Sequence, residues 1–156
     1  MLATFLTLFL MLAAEQTDVF KKDMAPLQSA VDGVIIATGA QVMPAGKARA
    51  AYIDGYGIIV TVEIAFEAPQ GIFDTPKKPA EVRTLVAKRR KDLQEKMTSF
   101  VKSRVATTDS IGATDSLAII IYVLNTNPAD ITNLPMQIVT SAKKESPQQV
   151  AFRELF

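Results

Sequence analysis

Two tyrosines and an aspartate, Tyr52, Asp54 and Tyr56, lie at alternate positions in the middle of the chain. Two phenols and a carboxylate on an exposed tip could contact a ligand or a partner protein. Asp54-Gly55 is also a strong signal for a two-residue hairpin turn. Such a turn places Tyr52 across from Gly57 and lets the tyrosines cover the end of the hairpin. We favour the turn and keep the three polar residues as candidate binding residues.

Arg89 is the fourth candidate, because it is a charged residue at an apolar position of a predicted helix. It follows Val82 by seven residues and precedes Leu93 by four, which places it on the apolar side. In a structural role, its stem lies on the core while the guanidinium reaches water. Alternatively, Glu63 or Asp115 holds a buried guanidinium, and such a pair beside a cavity would bind an anion.

Other groups that resemble catalytic or binding motifs are incomplete. Two Ser-x-x-Lys sequences, beginning at Ser99 and Ser141, lack the companion motifs of penicillin-recognising enzymes. Gly46-Lys47 lacks the remainder of a phosphate-binding loop. The basic run 88–91 fans around a helix, since neighbouring residues point about 100° apart. It therefore forms no single basic stripe, and we predict no nucleic-acid partner.

The composition excludes several chemistries. The chain has no Cys, no His and no Trp, which removes disulfides, thiolate nucleophiles, zinc sites built from Cys and His, and a histidine general base. Seventeen Lys and Arg residues nearly balance sixteen Asp and Glu residues, for a net charge of +1. Carboxylates, Lys, Tyr, Ser and Thr are the side chains that remain for catalysis. We predict no metal site and no cofactor.

Residues 1–14, MLATFLTLFLMLAA, are apolar apart from two threonines. The run is shorter than the roughly 20 residues that a membrane-spanning helix needs, and its length and its final Ala13-Ala14 suit a signal peptide. No Lys or Arg precedes it, unlike most such signals, and a helix kept in the core or at the membrane is the alternative. We predict an exported, periplasmic or extracellular protein with one domain over residues 15–156 and no stable membrane span after cleavage.

Hydrophobic periodicity predicts two long helices. Apolar residues recur at steps of three and four from Phe20 to Ile35, and Gly39 stands where this helix should end. A second helix begins at Pro79, which suits the first helical position, and continues to about Ala106.

Four strands and a short third helix complete the predicted elements. Residues 48–53 and 58–66 form the hairpin, and the second of these segments alternates with a period of two. Residues 117–124 are apolar on both faces, as in a central strand covered on each side. Residues 136–143 alternate weakly and form the last strand. The segment 146–149, Ser-Pro-Gln-Gln, matches a capping box and predicts a short C-terminal helix.

This order predicts an α+β two-layer sandwich, in which about four antiparallel strands carry the helices on one face. The other face of the central strand then needs cover, either by the N-terminal helix or by a second copy of the chain. A homodimer is therefore among the expectations.

Our first functional hypothesis is an exported, non-enzymatic domain that binds a protein partner or an envelope component. The alternative is a small-molecule or anion-binding carrier with Arg89 in its pocket. A third hypothesis is an enzyme that uses carboxylates or tyrosine, for which two titratable groups would have to converge in one cleft. We name no catalytic residue; the candidate binding residues are Tyr52, Asp54, Tyr56 and Arg89.

Overall fold

The computed structural model of the protein describes residues 22–39, 42–66, 78–126, 131 and 133–156. The predicted export signal, residues 1–14, lies outside these ranges. Within them, no helix is both long enough and apolar enough to cross a membrane.

The described residues form an α+β fold with two helices and a six-stranded mixed sheet. Helix α1 ends at residue 38, just before Gly39, and helix α2 begins at Pro79, as the sequence predicts. In chain order the elements are α1 (22–38), β1 (Met43–Pro44), β2 (Arg49–Ile53), β3 (Gly57–Ala65), α2 (Pro79–Thr107), β4 (Ser116–Leu124), β5 (Gln137–Lys143) and β6 (Ala151–Leu155).

The sheet is mixed, and the prediction of a four-stranded antiparallel sheet is wrong. Strands β3 and β4 are parallel neighbours, and all other strand pairs are antiparallel. The connection through α2, which lies between β3 and β4 in the chain, permits this pairing, since parallel neighbours require such a crossover. Strand β4 runs along the whole of β3 on one side. Strands β1 and β2 therefore share its other side, and β4 is central as predicted.

The C-terminal segment forms a strand, so the predicted short helix is wrong. The amide of Gln149 donates to the carbonyl of Ser146 at 3.0 Å, which closes a turn with Pro147 at a position that proline favours in turns. The chain then pairs with β5 from Ala151 to Leu155. A Ser-Pro start is compatible with both a helix cap and a turn, and only the pairing with β5 distinguishes them.

The hydrophobic core lies between the two helices and one face of the sheet. Alternate residues of β3, β4 and β5 point toward the helices and are almost fully buried. Full burial of one such aliphatic side chain is worth about 1.5–3 kcal/mol. The main contributors are Leu27, Val31 and Ile35 of α1, Val82, Val86, Leu93, Met97, Val101 and Val105 of α2, and Ile58, Val60, Val62, Ile64, Leu117, Ile119, Ile121, Ile138 and Ala142 of the sheet.

Two carboxylates connect α1 to the rest of the fold. Asp23 Oδ2 accepts a hydrogen bond from the amide of Ser110 at 2.9 Å. Asp32 Oδ1 accepts one from the amide of Ala48, also at 2.9 Å. These bonds satisfy backbone amides outside regular structure and fix where α1 lies along the sheet.

Candidate functional site

The turn between β2 and β3 contains three residues, 54–56, rather than the predicted two. Gly57 pairs with Ile53, and Ile58 pairs with Tyr52. The expected pairing of Tyr52 with Gly57 is therefore wrong. Because one extra residue reverses the parity of a hairpin, Tyr52 lies on the helix side of the sheet, beside Ile58.

Tyr52 is held by a carboxylate. Its hydroxyl donates to Asp115 Oδ2 at 3.2 Å, and the same oxygen accepts from the amide of Gly112 at 3.2 Å. Burial raises the pKa of the Tyr52 phenol above its ordinary value of 10.0, and the negative charges of Asp115 and Asp54 raise it further. The phenol therefore stays protonated at neutral pH and acts as a hydrogen-bond donor, with a structural role between β2 and the loop before β4.

The other two polar residues of the turn, Asp54 and Tyr56, have exposed side chains. The backbone there packs tightly against β4, since the amide of Ser116 donates to the carbonyl of Tyr56 at 2.7 Å. Gly57 has φ 115°, and a Cβ at this position would lie 2.2 Å from the carbonyl oxygen of Ser116. Glycine is thus required here for both conformation and space. Asp54 and Tyr56 keep the exposure that contact with a partner needs, whereas Tyr52 is engaged with Asp115.

Arg89 is half-buried at the C-terminal end of α1. Its Nη1 donates to the carbonyl of Thr38 at 3.0 Å and lies 3.3 Å from Asp92 Oδ2. Gly39 makes room, because a Cβ there would lie 3.1 Å from this nitrogen. Lys96 also donates to a carbonyl of the last turn of α1. Two cations at a helix C-terminus stabilise it, and this position supports the structural interpretation of Arg89.

The suggested carboxylate partners of Arg89 lie elsewhere. Asp115 accepts the hydrogen bond from Tyr52. Glu63 is exposed on the side of the sheet that faces away from the helices.

We call that side the open face, since neither α1 nor α2 packs on it. Its centre is apolar, and Ala118 there is 1% exposed. Larger apolar groups surround this centre, and Ile53, Leu124 and Leu155 are 47%, 43% and 48% exposed. The strand residues of the open face include Arg49, Ala51 and Ile53 of β2, Ile59, Thr61 and Glu63 of β3, Ala118, Ile120, Tyr122 and Leu124 of β4, Gln137, Val139, Ser141 and Lys143 of β5, and Ala151, Arg153 and Leu155 of β6.

A polar cleft of about 160 Å³ opens on this face between the edge of the sheet and β4. It results from a bulge. Pro44 pairs with Ile64 and Arg49 pairs with Thr61, so the four residues 45–48 face only two residues of β3. Bulges of this kind redirect side chains and are common beside functional sites. The cleft is lined by Gly46, Lys47, Arg49, Thr61, Val62, Glu63 and Tyr122.

The charged side chains of the cleft, Lys47, Arg49 and Glu63, are exposed. Among the described residues, the ion pairs within 4.0 Å include none made by Lys47, Arg49 or Glu63. The Thr61 hydroxyl donates weakly to the carbonyl of Arg49, at 3.5 Å, and the Tyr122 side chain forms the opposite wall. Two cations, one carboxylate and two hydroxyl groups can bind a small charged group.

The sequence does not predict this cleft. Lys47 belongs to an incomplete phosphate-loop motif in the sequence, and Glu63 is predicted as a possible partner for Arg89. Tyr122 comes from a distant part of the chain. The alternation of β3 does place Thr61 and Glu63 on one face. Strand periodicity does not predict the bulge that opens the cleft, however.

No group of three or more Asp or Glu residues in the described ranges is arranged to hold a metal ion. Comparison of the chain with known protein families, with curated proteins and with solved structures gives no match. The functional inference therefore depends on the geometry of the open face and its cleft.

Proposed function

We propose that this protein is a non-enzymatic binding domain that engages a protein partner through the open face of its sheet. The observation that carries the proposal is the contrast between the two faces of one sheet. One face is buried under α1 and α2, while the other displays Ile53, Leu124 and Leu155 at more than two-fifths exposure. Exposed apolar groups with polar residues around them are typical of protein-binding surfaces.

Binding is better supported than catalysis, because several chemistry-capable side chains have structural partners. Asp115 binds the phenol of Tyr52, and Arg89 binds the last turn of α1. Arg90 makes a bidentate pair with Glu154. Titratable groups of a catalytic site are gathered in a cleft that shields them from water, whereas Lys47, Glu63 and Tyr122 share a cleft but have exposed side chains.

We propose further that the protein is exported, on the composition of residues 1–14. A fusion of the full chain to a reporter that is active only outside the cytoplasm tests this. Activity that disappears when residues 1–14 are deleted would support export. Equal activity of both fusions, or none from either, would contradict it.

Site-specific photo-crosslinking in the source cell tests the binding face. A photoreactive phenylalanine derivative replaces Leu124, which lies on the open face outside the cleft, or Gln94, which is exposed on α2. We expect a discrete protein adduct from position 124 and none from position 94. An adduct of twice the chain mass would identify the partner as a second copy and establish the homodimer. Adducts from position 94 alone, or from neither position, would contradict the proposal.

A further inference from the structure

The open face carries more positive than negative charge. Lys47, Arg49 and Arg153 form no ion pair within the described residues, and Glu63 opposes them. Lys143 lies on the same face but already pairs with Glu145 at 3.4 Å. The whole chain has a net charge of only +1, so positive charge is concentrated on the face proposed to bind. Charge complementarity favours an acidic partner.

Within this face, Lys47 and Arg49 converge on the same cleft. An arginine can bind a carboxylate through two parallel hydrogen bonds, and a lysine adds a point charge. The phenol of Tyr122 supplies a further donor at the opposite wall. The positive charges and hydrogen-bond donors of these three side chains suit a carboxylate ligand.

The size of the cleft selects the kind of ligand. Pockets for drug-sized ligands enclose about 300–1,000 Å³, whereas this cleft holds about 160 Å³. Such a space accommodates one side chain. Exposed Leu124 lies two residues beyond Tyr122 on β4, so a polypeptide bound across this end of the face can place a side chain into the cleft.

Glu63 restricts the charge of that ligand. A carboxylate in the cleft wall repels a second negative charge, so a phosphate, which carries up to two, is disfavoured relative to a single carboxylate. The lysine and arginine still outnumber Glu63, and the cleft keeps a net attraction for a monoanion.

On this basis, and resting on the proposed function, we infer that the cleft receives the carboxylate of an Asp or Glu side chain from an acidic segment of the partner protein. The open face would supply apolar contact area, and Lys47 and Arg49 would fix where the acidic residue lies.

The probe is a blocked peptide with alternating Ala and Glu, compared with the same peptide in which Gln replaces Glu. Each is titrated into the ¹⁵N-labelled full chain while amide shifts are recorded. We expect the Glu peptide to shift amides around Gly46, Lys47 and Glu63, and the Gln peptide to leave them unmoved. Arg49→Gln should weaken Glu-peptide binding about tenfold, which corresponds to about 1.4 kcal/mol. Arg83→Gln, an exposed cation on α2, should leave it unchanged.

Glu63→Gln should change the affinity for the Glu peptide in the opposite direction from Arg49→Gln. Without this carboxylate, the Glu peptide should bind severalfold more tightly, and inorganic phosphate should begin to shift the same amides. The thermal midpoint of each variant confirms that it is folded. The inference would be overturned if the Glu and Gln peptides shifted the amides equally. It would also be overturned if Arg49→Gln and Arg83→Gln lost the same affinity for the Glu peptide.

Crosslinking from position 124 separates this inference from the proposed function. We expect Lys47→Gln combined with Arg49→Gln to reduce the adduct about tenfold or more, while Arg83→Gln has no effect. An undiminished adduct would overturn the acidic-partner inference and leave the binding face in place. The absence of any adduct from position 124 in the unaltered chain would overturn both.

Discussion

The phenol of Tyr52 donates a hydrogen bond to Asp115 across 63 residues of sequence, at 3.2 Å. The bond connects β2, at the edge of the sheet, to the loop that leads into the central strand β4. Because Asp115 also accepts the amide of Gly112, one carboxylate orders the loop and holds the strand. The hairpin that attracted attention as a binding motif is thereby fixed to the fold.

Replacing Tyr52 by Phe tests this role. We expect the free energy of unfolding at pH 7 to fall by about 1–2 kcal/mol, since a hydrogen bond to a charged acceptor is lost. Urea denaturation measures the change. A variant as stable as the natural chain would show that the bond contributes nothing.

The same pair predicts a dependence on high pH. The pKa of Tyr52 is raised in the folded state above the free-phenol value of 10.0, so the folded chain holds the proton more tightly than the unfolded chain. The stabilisation is complete below about pH 10 and is lost as the pH rises through the raised pKa. Above about pH 10, the free energy of unfolding of the natural chain should therefore approach that of Tyr52→Phe. An advantage that stays constant through this range would contradict the assignment.

Gly57 and Gly33 should respond in opposite directions to the same substitution. Gly57 combines φ 115° with a Cβ position 2.2 Å from a backbone oxygen of β4, so Gly57→Ala should cost roughly 2–4 kcal/mol. Gly33 is exposed within α1 with open space around its Cβ position, so Gly33→Ala should add about 0.5–1 kcal/mol. Thermal and urea unfolding of both variants check the pair. Two changes of the same sign would refute the account.

Local signals predicted α1, α2 and the strands β2 to β5, but they did not predict β1 or β6. The spacing of Leu27, Val31 and Ile35 defined the buried side of α1, and Pro79 marked the start of α2. The run 117–124, which is apolar on both faces, forms the central strand β4, and Ala118 is buried even on the open face. Each of these signals lies within one element, where periodicity and capping act.

Relations between elements were harder to predict. A helix as long as α2 can return the chain to either edge of the β2–β3 hairpin, and the periodicity of β3 and β4 does not indicate that β4 pairs with β3 in parallel. The turn at Asp54-Gly55 gained a third residue, Tyr56, which reversed the face of Tyr52. The cleft depends on a bulge at Gly46-Lys47 and on Tyr122 from another strand, so its members converge only after the sheet has formed.

Thr140 should be replaceable with a gain in stability. It is fully buried on the helix side of β5, and among the described residues its hydroxyl oxygen has no hydrogen-bond partner. Thr140→Val keeps the shape and removes the unsatisfied group, which should add about 1 kcal/mol. Thr38 is a matched control, since it is also buried but its hydroxyl donates to the carbonyl of Val34 at 2.9 Å. Thr38→Val should bring no gain, and equal gains at both sites would argue against the explanation.

Arg90 of α2 contacts strand β6 through two hydrogen bonds to Glu154, at 3.1 and 2.5 Å. The guanidinium also lies 5.8 Å from the ring centre of Phe156. A double-mutant cycle with Arg90→Met and Glu154→Gln should give a coupling energy of about 1 kcal/mol, because both side chains are about three-quarters buried and the geometry is bidentate.

The pair Lys91–Glu95 on the same helix is the control, since its atoms are 4.0 Å apart and its side chains are 77% and 66% exposed. Its coupling energy should be near zero.

Hydrogen exchange gives a second measurement of the role of Arg90. Arg90→Met should speed exchange at β6 amides paired with β5 more than at β4 amides, because β6 is an edge strand with one neighbour. Uniform acceleration across the sheet would mean that Arg90 stabilises the whole domain rather than its C-terminal strand.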